Sequence, residues 1–240
     1  MISDNYISRR AMNNKLEQQL KREAKNKGYS EAIANCFIVG KVLDIGFAAR
    51  PLSNKSLEIH GTDIMPVSKP SNYKETHIVN LNTSPIPYEN KFFDTVYIGF
   101  TLACFGNPLR VLCESNRVLK EDGICIITLT NPSYYLDVLQ NIFIKKYSIV
   151  AFQKFYSFTR CDMRSVTKRA NFEVVTEYGT YFRIPIIGIK LFIPRLPALS
   201  DQIVYILKKK EDIKRQSITV SRTYSDKDKP KEFEIDADLF

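Results

Sequence analysis

Short apolar runs separated by polar stretches dominate the middle of the chain. Lys41-Val42-Leu43-Asp44-Ile45-Gly46 is a β-rich run that ends in an acid and a glycine. Leu57-Glu58-Ile59-His60-Gly61-Thr62-Asp63 is a second, also ending in an acid. His77 to Leu81, Phe92 to Gly99 and Ile124 to Leu129 supply a third, fourth and fifth. Between the fourth and fifth, Asn107 to Lys120 has helical spacing, with Asn107 as N-cap, Pro108 at the first helical position, and Leu109, Val111, Leu112, Val118 and Leu119 supplying apolar faces, and Lys120-Glu121-Asp122-Gly123 closes it with a turn. Strands of this length alternating with helices predict a mostly parallel sheet of seven strands covered by helices on both faces. Helices are further expected over Tyr134–Phe143 and Arg160–Ala170. Phe172–Tyr178 and Ile203–Leu207 read as a closing pair that makes the final strand antiparallel. Ahead of the sheet, Met12, Leu16 and Leu20 recur every four residues up to a stop at Gly28, which predicts an N-terminal helical segment over residues 1–35. Residues 36–210 then form the main domain. Residues 132–202 include an insert on the acceptor side, and residues 211–240 form a charged, mobile tail.

The composition narrows the classes. With 240 residues, 44% hydrophobic and 12% aromatic, the chain supports one large α/β domain. The net charge of +9 would suit an anionic partner, but the cations are dispersed and no aromatic–basic ladder marks a nucleic-acid surface. Five cysteines without metal-ligand spacing, and only two histidines, argue against a disulfide framework and against a metal centre. The opening residues lack a signal-peptide core. The most apolar stretch, Tyr181 to Leu199, is interrupted by Arg183, Lys190, Arg195 and three prolines, so no integral membrane segment is expected. A reduced, cytoplasmic protein is expected, and a homodimer is compatible with it.

In a parallel α/β sheet ligands bind beyond the carboxyl ends of the strands, where the strand order reverses. The first strand delivers Asp44, then Gly46, Ala48 and Arg50; the second delivers Asp63 and Ile64; the third Asn80 and Leu81; the fourth Gly99 and Phe100. The plain readings of these residues are strand-end caps for Asp44 and Asp63, a turn residue for Asn80, a surface cation for Arg50 and a core residue for Phe100. His60, inside the second strand, reads as packed, and Glu114 with Arg117 as a solvated pair three residues apart.

In order and spacing, VLDIG (Val42–Gly46), GTDI (Gly61–Ile64), FFDTVYIG (Phe92–Gly99) and NPLRVLCESNRVLKEDGICIITLTNP (Asn107–Pro132) resemble the class I S-adenosylmethionine-dependent methyltransferases. The resemblance implies a Rossmann-like fold, S-adenosylmethionine as cofactor and methyl transfer as activity. It would set Asp44 and Gly46 against the methionine end and Asp63 on the ribose hydroxyls. Asn80 and Leu81 would frame the adenine, with Asn80 bonding its amino group, and Gly99 and Phe100 would line the sulfonium. The chain departs from the family's D-x-G-x-G-x-G turn at Ala48 and Arg50, where Arg50 could pair with the cofactor carboxylate. Asn80 replaces a common acid, and Ala103-Cys104 replaces a common Glu-His. The placement of an NP dipeptide after strand five, before a helical insert, is similar to methyltransferases of glycan and small-molecule biosynthesis. O-methylation of a sugar, glycan precursor or similar small molecule is therefore expected. The aromatics Tyr134, Tyr135, Phe143, Tyr147, Phe152, Phe155, Tyr156 and Phe158, with Lys145, Lys146 and Lys154, would hold the acceptor or else simply pack helices on the sheet. No strong general base stands out: His60 and His77 fall on the wrong segments, leaving Tyr134, Tyr135 or Asp162. A catalytically silent binding or scaffold protein of the same fold and a nucleic-acid methyltransferase are the alternatives. A nicotinamide-dependent oxidoreductase is disfavoured, because G-x-G-x-x-G is missing after the first strand.

Overall fold

The computed structural model describes residue 20 and residues 28–53, 57–136, 156–184 and 189–210. A short helix α1 (Tyr29–Asn35) leads into strands β1 (Lys41–Ile45), β2 (Glu58–Asp63), β3 (Tyr73–Ile78) and β4 (Phe93–Gly99). Helix α2 (Pro108–Val118) and strand β5 (Leu119–Thr130) follow, then α3 (Arg160–Arg169), β6 (Phe172–Gly179), a hairpin of β7 (Tyr181–Ile184) with β8 (Ile189–Phe192), and β9 (Gln202–Lys209). Seven strands form one sheet in the order β3-β2-β1-β4-β5-β9-β6. Strands β1 to β5 run parallel, and β9 enters antiparallel to both β5 and β6. Because the chain steps outward from β1 to β2 and β3, then returns to place β4 on the other side of β1, the strand order reverses between β1 and β4. That is where a sheet of this kind opens a crevice at its carboxyl edge.

Alternation along the central strands sorts the core into two clusters. Leu43, Ile45, Val96, Ile98, Cys125 and Ile127 pack with Val111, Leu112 and Val118 of α2 and Met163 of α3. Their neighbours Val42, Ile59, Tyr97, Ile124 and Ile126 pack with Ala32, Ile33 and Ala34 of α1 and with Phe37. The ends of α2 and α3 obey local chemistry. Asn107 accepts the Arg110 amide at the start of α2, and Thr159 with Asp162 closes a capping box on α3.

Several expectations change. The third strand spans Tyr73–Ile78, so Asn80 and Leu81 lie in the turn after it. The fifth begins at Leu119, because Lys120 to Asp122 continue in extended form past a register irregularity between Phe93 and Thr95 instead of forming a turn. Gly28, with φ of 87°, is the N-cap of helix α1, and residues 21–27 before it lie outside the described residues. Met12 and Leu16, residues 137–143 of the expected insert helix and the tail 211–240 lie outside the described residues; Leu20 is helical and buried.

The pair Glu114–Arg117 does more than a solvated pair would. Arg117 holds Glu114 and also donates to the carbonyls of Ile86 and Tyr88 and to Asn90, while Glu114 accepts the Ile86 amide. The segment before β4 is thus tied to α2 through one guanidinium. Arg117→Ala should lower stability by about 1–3 kcal/mol, because partly buried acceptors lose a charged donor. The check is a shift of the urea midpoint at constant m-value.

Candidate functional site

The carboxyl ends of β1, β2 and β4 meet at the reversal in strand order. Ile45, Thr62 and Ile98 are paired side by side, so the residues that follow each of them emerge together. Gly46 turns the chain sharply with φ of 79°, and its amide donates to the Thr62 carbonyl at 2.7 Å. A side chain there would collide with Thr101, whose methyl carbon lies 2.4 Å from the position a Cβ would take. Thr101 in turn donates its hydroxyl to the Ile45 carbonyl at 2.9 Å, stitching the exit of β4 to the end of β1. Phe100 takes a left-handed conformation, φ 65°, held by its amide on the Thr128 carbonyl.

Asp63 sits half-buried at the end of β2. One oxygen accepts the Ala48 amide and the other the Met65 amide, both at 2.9 Å. A carboxylate offers about four acceptor positions, so each oxygen keeps one for a ligand. Beside it Ile64 is 58% exposed and Met65 is 44% exposed, an apolar shoulder open to solvent. Arg50 lies over the Phe100 ring, 5.3 Å from its centre, so the guanidinium spans the mouth between β1 and β4.

Asp44 is placed differently from Asp63. It is fully buried, accepts the Tyr73 hydroxyl in a very short hydrogen bond and accepts the Leu52 amide at 3.2 Å. Burial pushes its carboxyl up to about 7, against the lowering effect of these two bonds; Glu31 and Asp63 add to the rise. Burial likewise raises the Tyr73 and Tyr97 hydroxyls, with Asp44 adding to both. Glu31 reaches this cluster from α1 and accepts the Ser53 hydroxyl at 2.8 Å. Three carboxyl groups therefore gather near the end of β1, and they favour a cationic ligand over an anionic one.

The structure brings Gly46, Ala48, Arg50, Asp63, Gly99 and Phe100 together at the strand ends. Gly99 leaves room for the Tyr97 ring, which lies 2.8 Å from where a Cβ would be. Asn80 is exposed, its side chain accepting the Asn82 amide at 3.1 Å, and Leu81 is buried within the core cluster of α2. The histidines stay away from the crevice: His60 is buried against Tyr88 and Glu58, and His77 pairs with Glu75. Asp162 is engaged in capping α3, and Tyr134 accepts the Arg183 amide at 2.9 Å. Tyr73, Tyr97, Thr101 and Glu31 belong to the site but were not among the residues expected from the sequence. The signal that could have found Tyr73 is Gly61, whose missing side chain leaves space on β2 for the rings of Phe47 and Tyr73.

Of the acceptor-side aromatics, Tyr134 and Tyr135 pack edge to face, and Tyr135 stacks on Phe182 of the hairpin at 4.8 Å. Tyr156 stacks on Phe158 at 5.8 Å. Phe143, Tyr147, Phe152 and Phe155, with Lys145, Lys146 and Lys154, lie outside the described residues. A separate groove of about 520 Å³ runs along β6 and α3, lined by Arg160, Arg164 and Lys168 among others. Three strands separate β6 from β1 in the sheet order, and Glu177 takes up Arg160 and Arg164, so the groove lacks the chemistry of the strand ends. Among the described residues no cluster of three or more histidine, cysteine, aspartate or glutamate side chains could hold a metal ion. No helix among them is long and apolar enough to cross a membrane.

Residues 43–127 match the family of methyltransferase domains. Over 124 residues the chain is 30% identical to an uncharacterized protein of Methanocaldococcus jannaschii, an alignment covering 43% of this chain and 49% of the relative; the chain thus spans about half the length of the curated relative it matches. Among solved structures, an S-adenosylmethionine-dependent methyltransferase of Thermotoga maritima superposes with a TM-score of 0.61 at 18% identity, over 82% of this chain and 95% of that one. A second, from Methanosarcina mazei, gives 0.53 at 16% identity over 75% and 98%. The segment that carries the crevice matches the model of methyltransferase domains, and the fold is shared with these S-adenosylmethionine-dependent methyltransferases.

Proposed function

We propose that the chain is an S-adenosylmethionine-dependent methyltransferase that binds its cofactor across the carboxyl ends of β1, β2 and β4. The observation that carries this reading is the Asp63 carboxylate, fixed by two backbone amides beside the Ala48 turn yet with acceptor capacity left over. A ribose diol supplies two hydroxyl donors that match it. The cofactor, when bound, supplies an activated methyl on a sulfonium and a good leaving group. What remains for the protein is alignment, which alone can contribute about 7–11 kcal/mol to such a displacement.

In this arrangement Asp63 holds the ribose and Ile64 packs against the adenine, with Asn80 and Leu81 on its far side. Gly46 and Gly99 let the ligand approach the backbone. The acids Glu31 and Asp63 favour the cationic sulfonium and ammonium groups, with Asp44 bracing the loop between them, while Arg50, poised over Phe100, pairs with the cofactor carboxylate. Arg50 takes over a task that backbone amides of a glycine-rich turn perform where Ala48 and Arg50 are glycines.

For the acceptor we favour a small molecule or a sugar hydroxyl of a glycan precursor. The Tyr135–Phe182 stack, with Tyr134 beside it, offers a flat apolar wall for such a group. Transfer to a panel of nucleotide-sugars and glycans should be detectable; cofactor binding without any transfer to that panel would remove this choice of acceptor. The cationic groove along β6 favours a nucleic-acid acceptor as the second reading. That reading requires tRNA or DNA binding that weakens steeply with salt.

Asp63→Ala tests the cofactor site. It should weaken binding of S-adenosylmethionine by about 1–3 kcal/mol, or roughly 5- to 150-fold, the scale of a lost hydrogen bond to a charged group. Unchanged affinity in calorimetry would refute the ribose assignment.

A further inference from the structure

The connection from β1 to β2 crosses between parallel strands, a task usually performed by an α-helix. Here the described residues of that crossover contain no helix: Gly46 to Ser53 are turn and loop. The loop's anchors run outward, the Gly46 amide to Thr62, the Ala48 amide to Asp63 and the Ser53 hydroxyl to Glu31. The anchor at its far end is Leu52, which is 2% exposed. Its amide donates to the Tyr73 hydroxyl at 2.8 Å and to Asp44 at 3.2 Å, and its carbonyl accepts the Asn72 side chain at 2.8 Å. Tyr73 donates its own hydroxyl hydrogen bond to Asp44, and its ring rests beside Phe47, 5.3 Å between centres. Two consecutive residues at the start of β3 therefore grip both backbone groups of one loop residue.

We propose that Tyr73 is a positioning residue for cofactor binding: its hydroxyl clamps Leu52 to Asp44, and so fixes the loop that braces the Asp63 carboxylate through the Ala48 amide and presents Arg50 to the ligand. This rests on the preceding reading of where the cofactor lies. The clamp substitutes for the missing crossover helix. Loop entropy explains why it matters. A segment without a helix's ladder of hydrogen bonds samples many conformations, and a ligand that needs one of them binds more weakly in proportion to that one's population. Tyr73 is buried beneath the loop, so its hydroxyl acts through Leu52 and Asp44 and not on the ligand.

Tyr73→Phe keeps the ring on Phe47 and removes only the hydroxyl. Binding of S-adenosylhomocysteine, followed by calorimetry, should weaken roughly 3- to 10-fold, and amide exchange at Leu52 should accelerate in the free protein. KM for S-adenosylmethionine should rise while kcat at saturation stays within about twofold, since the reacting atoms are untouched. Asn72→Ala, which loosens the other half of the grip, should shift both readouts the same way by less and serves if Tyr73→Phe folds poorly. If wild-type protein binds and either folded variant binds equally well, the positioning role is overturned while the cofactor site stands. If wild-type protein binds neither S-adenosylmethionine nor S-adenosylhomocysteine, the cofactor site itself falls and the role assigned to Tyr73 falls with it.

Discussion

Gly46→Ala should be among the most damaging single substitutions in this chain, lowering stability by about 2–5 kcal/mol. Two effects add. At φ of 79° an L-residue costs about 1–2 kcal/mol over glycine. The new methyl would also lie 2.4 Å from the Thr101 methyl carbon and 2.6 Å from its hydroxyl oxygen. Thr101 cannot rotate away freely, because that hydroxyl is donated to the Ile45 carbonyl. Relief therefore requires either losing this bond or moving β4 away from β1, and each opens the crevice. Gly28→Ala is the matched control. Its φ is 87°, but none of the described residues lies within 4 Å of the added carbon, so among them only the backbone strain applies. Thermal or urea unfolding of both variants separates the two effects. Equal losses would mean that the Thr101 contact carries no weight.

The second large effect is a pH dependence at Asp44. Burial raises its carboxyl from an ordinary 3.8 to about 7 in the folded chain. Between those values the native state retains a proton that the unfolded chain has released, so unfolding releases that proton and stability falls as pH rises from about 4 to about 7. Above about 7 both states are ionised and this contribution is constant. The span corresponds to as much as about 4 kcal/mol. Asp44→Asn removes the charge while keeping an oxygen for Leu52 and Tyr73. Relative to wild type the variant should gain stability steadily between pH 4 and pH 8, as read from urea unfolding across that range. A stability difference between the two proteins that does not change with pH would show that Asp44 is not a buried carboxyl of this kind.

The strand ends that build the site were legible because two signals coincide there. Val42–Gly46, Gly61–Ile64 and Phe93–Gly99 each combine an apolar β-rich run with a chemistry-bearing residue at its carboxyl end, and pairing then places those ends in register. Strand β3 was read too late because its residues 73–78 are mostly polar: it is an edge strand, buried at Tyr73 and largely open beyond. The polar run Lys120–Asp122 suggested a turn, yet a register irregularity lets it extend β5. The hairpin β7–β8 was hidden among prolines and cations between residues 181 and 199. Asp44 was the instructive case. Its position at the end of β1 marked it as a ligand group, but no local pattern reveals that Tyr73, 29 residues away, occupies it. Long-range partners of this sort are written in the fold and not in spacing, and Arg117, which binds residues 27–31 positions before it, is another.

On the proposed reading, the acid at the end of β1 holds the loop, and the acid at the end of β2 is the one left for the ligand. This division follows from exposure: a fully buried carboxyl spends its hydrogen bonds inside, whereas a half-exposed one keeps capacity for a partner.

Titration of the purified 240-residue chain with S-adenosylmethionine and S-adenosylhomocysteine in a calorimeter bears on all of this most directly. Saturable one-to-one binding in the micromolar range is expected, weakened in the Asp63→Ala protein. Absence of binding by either compound at high micromolar concentration would contradict it, and would leave a methyltransferase fold put to some other use.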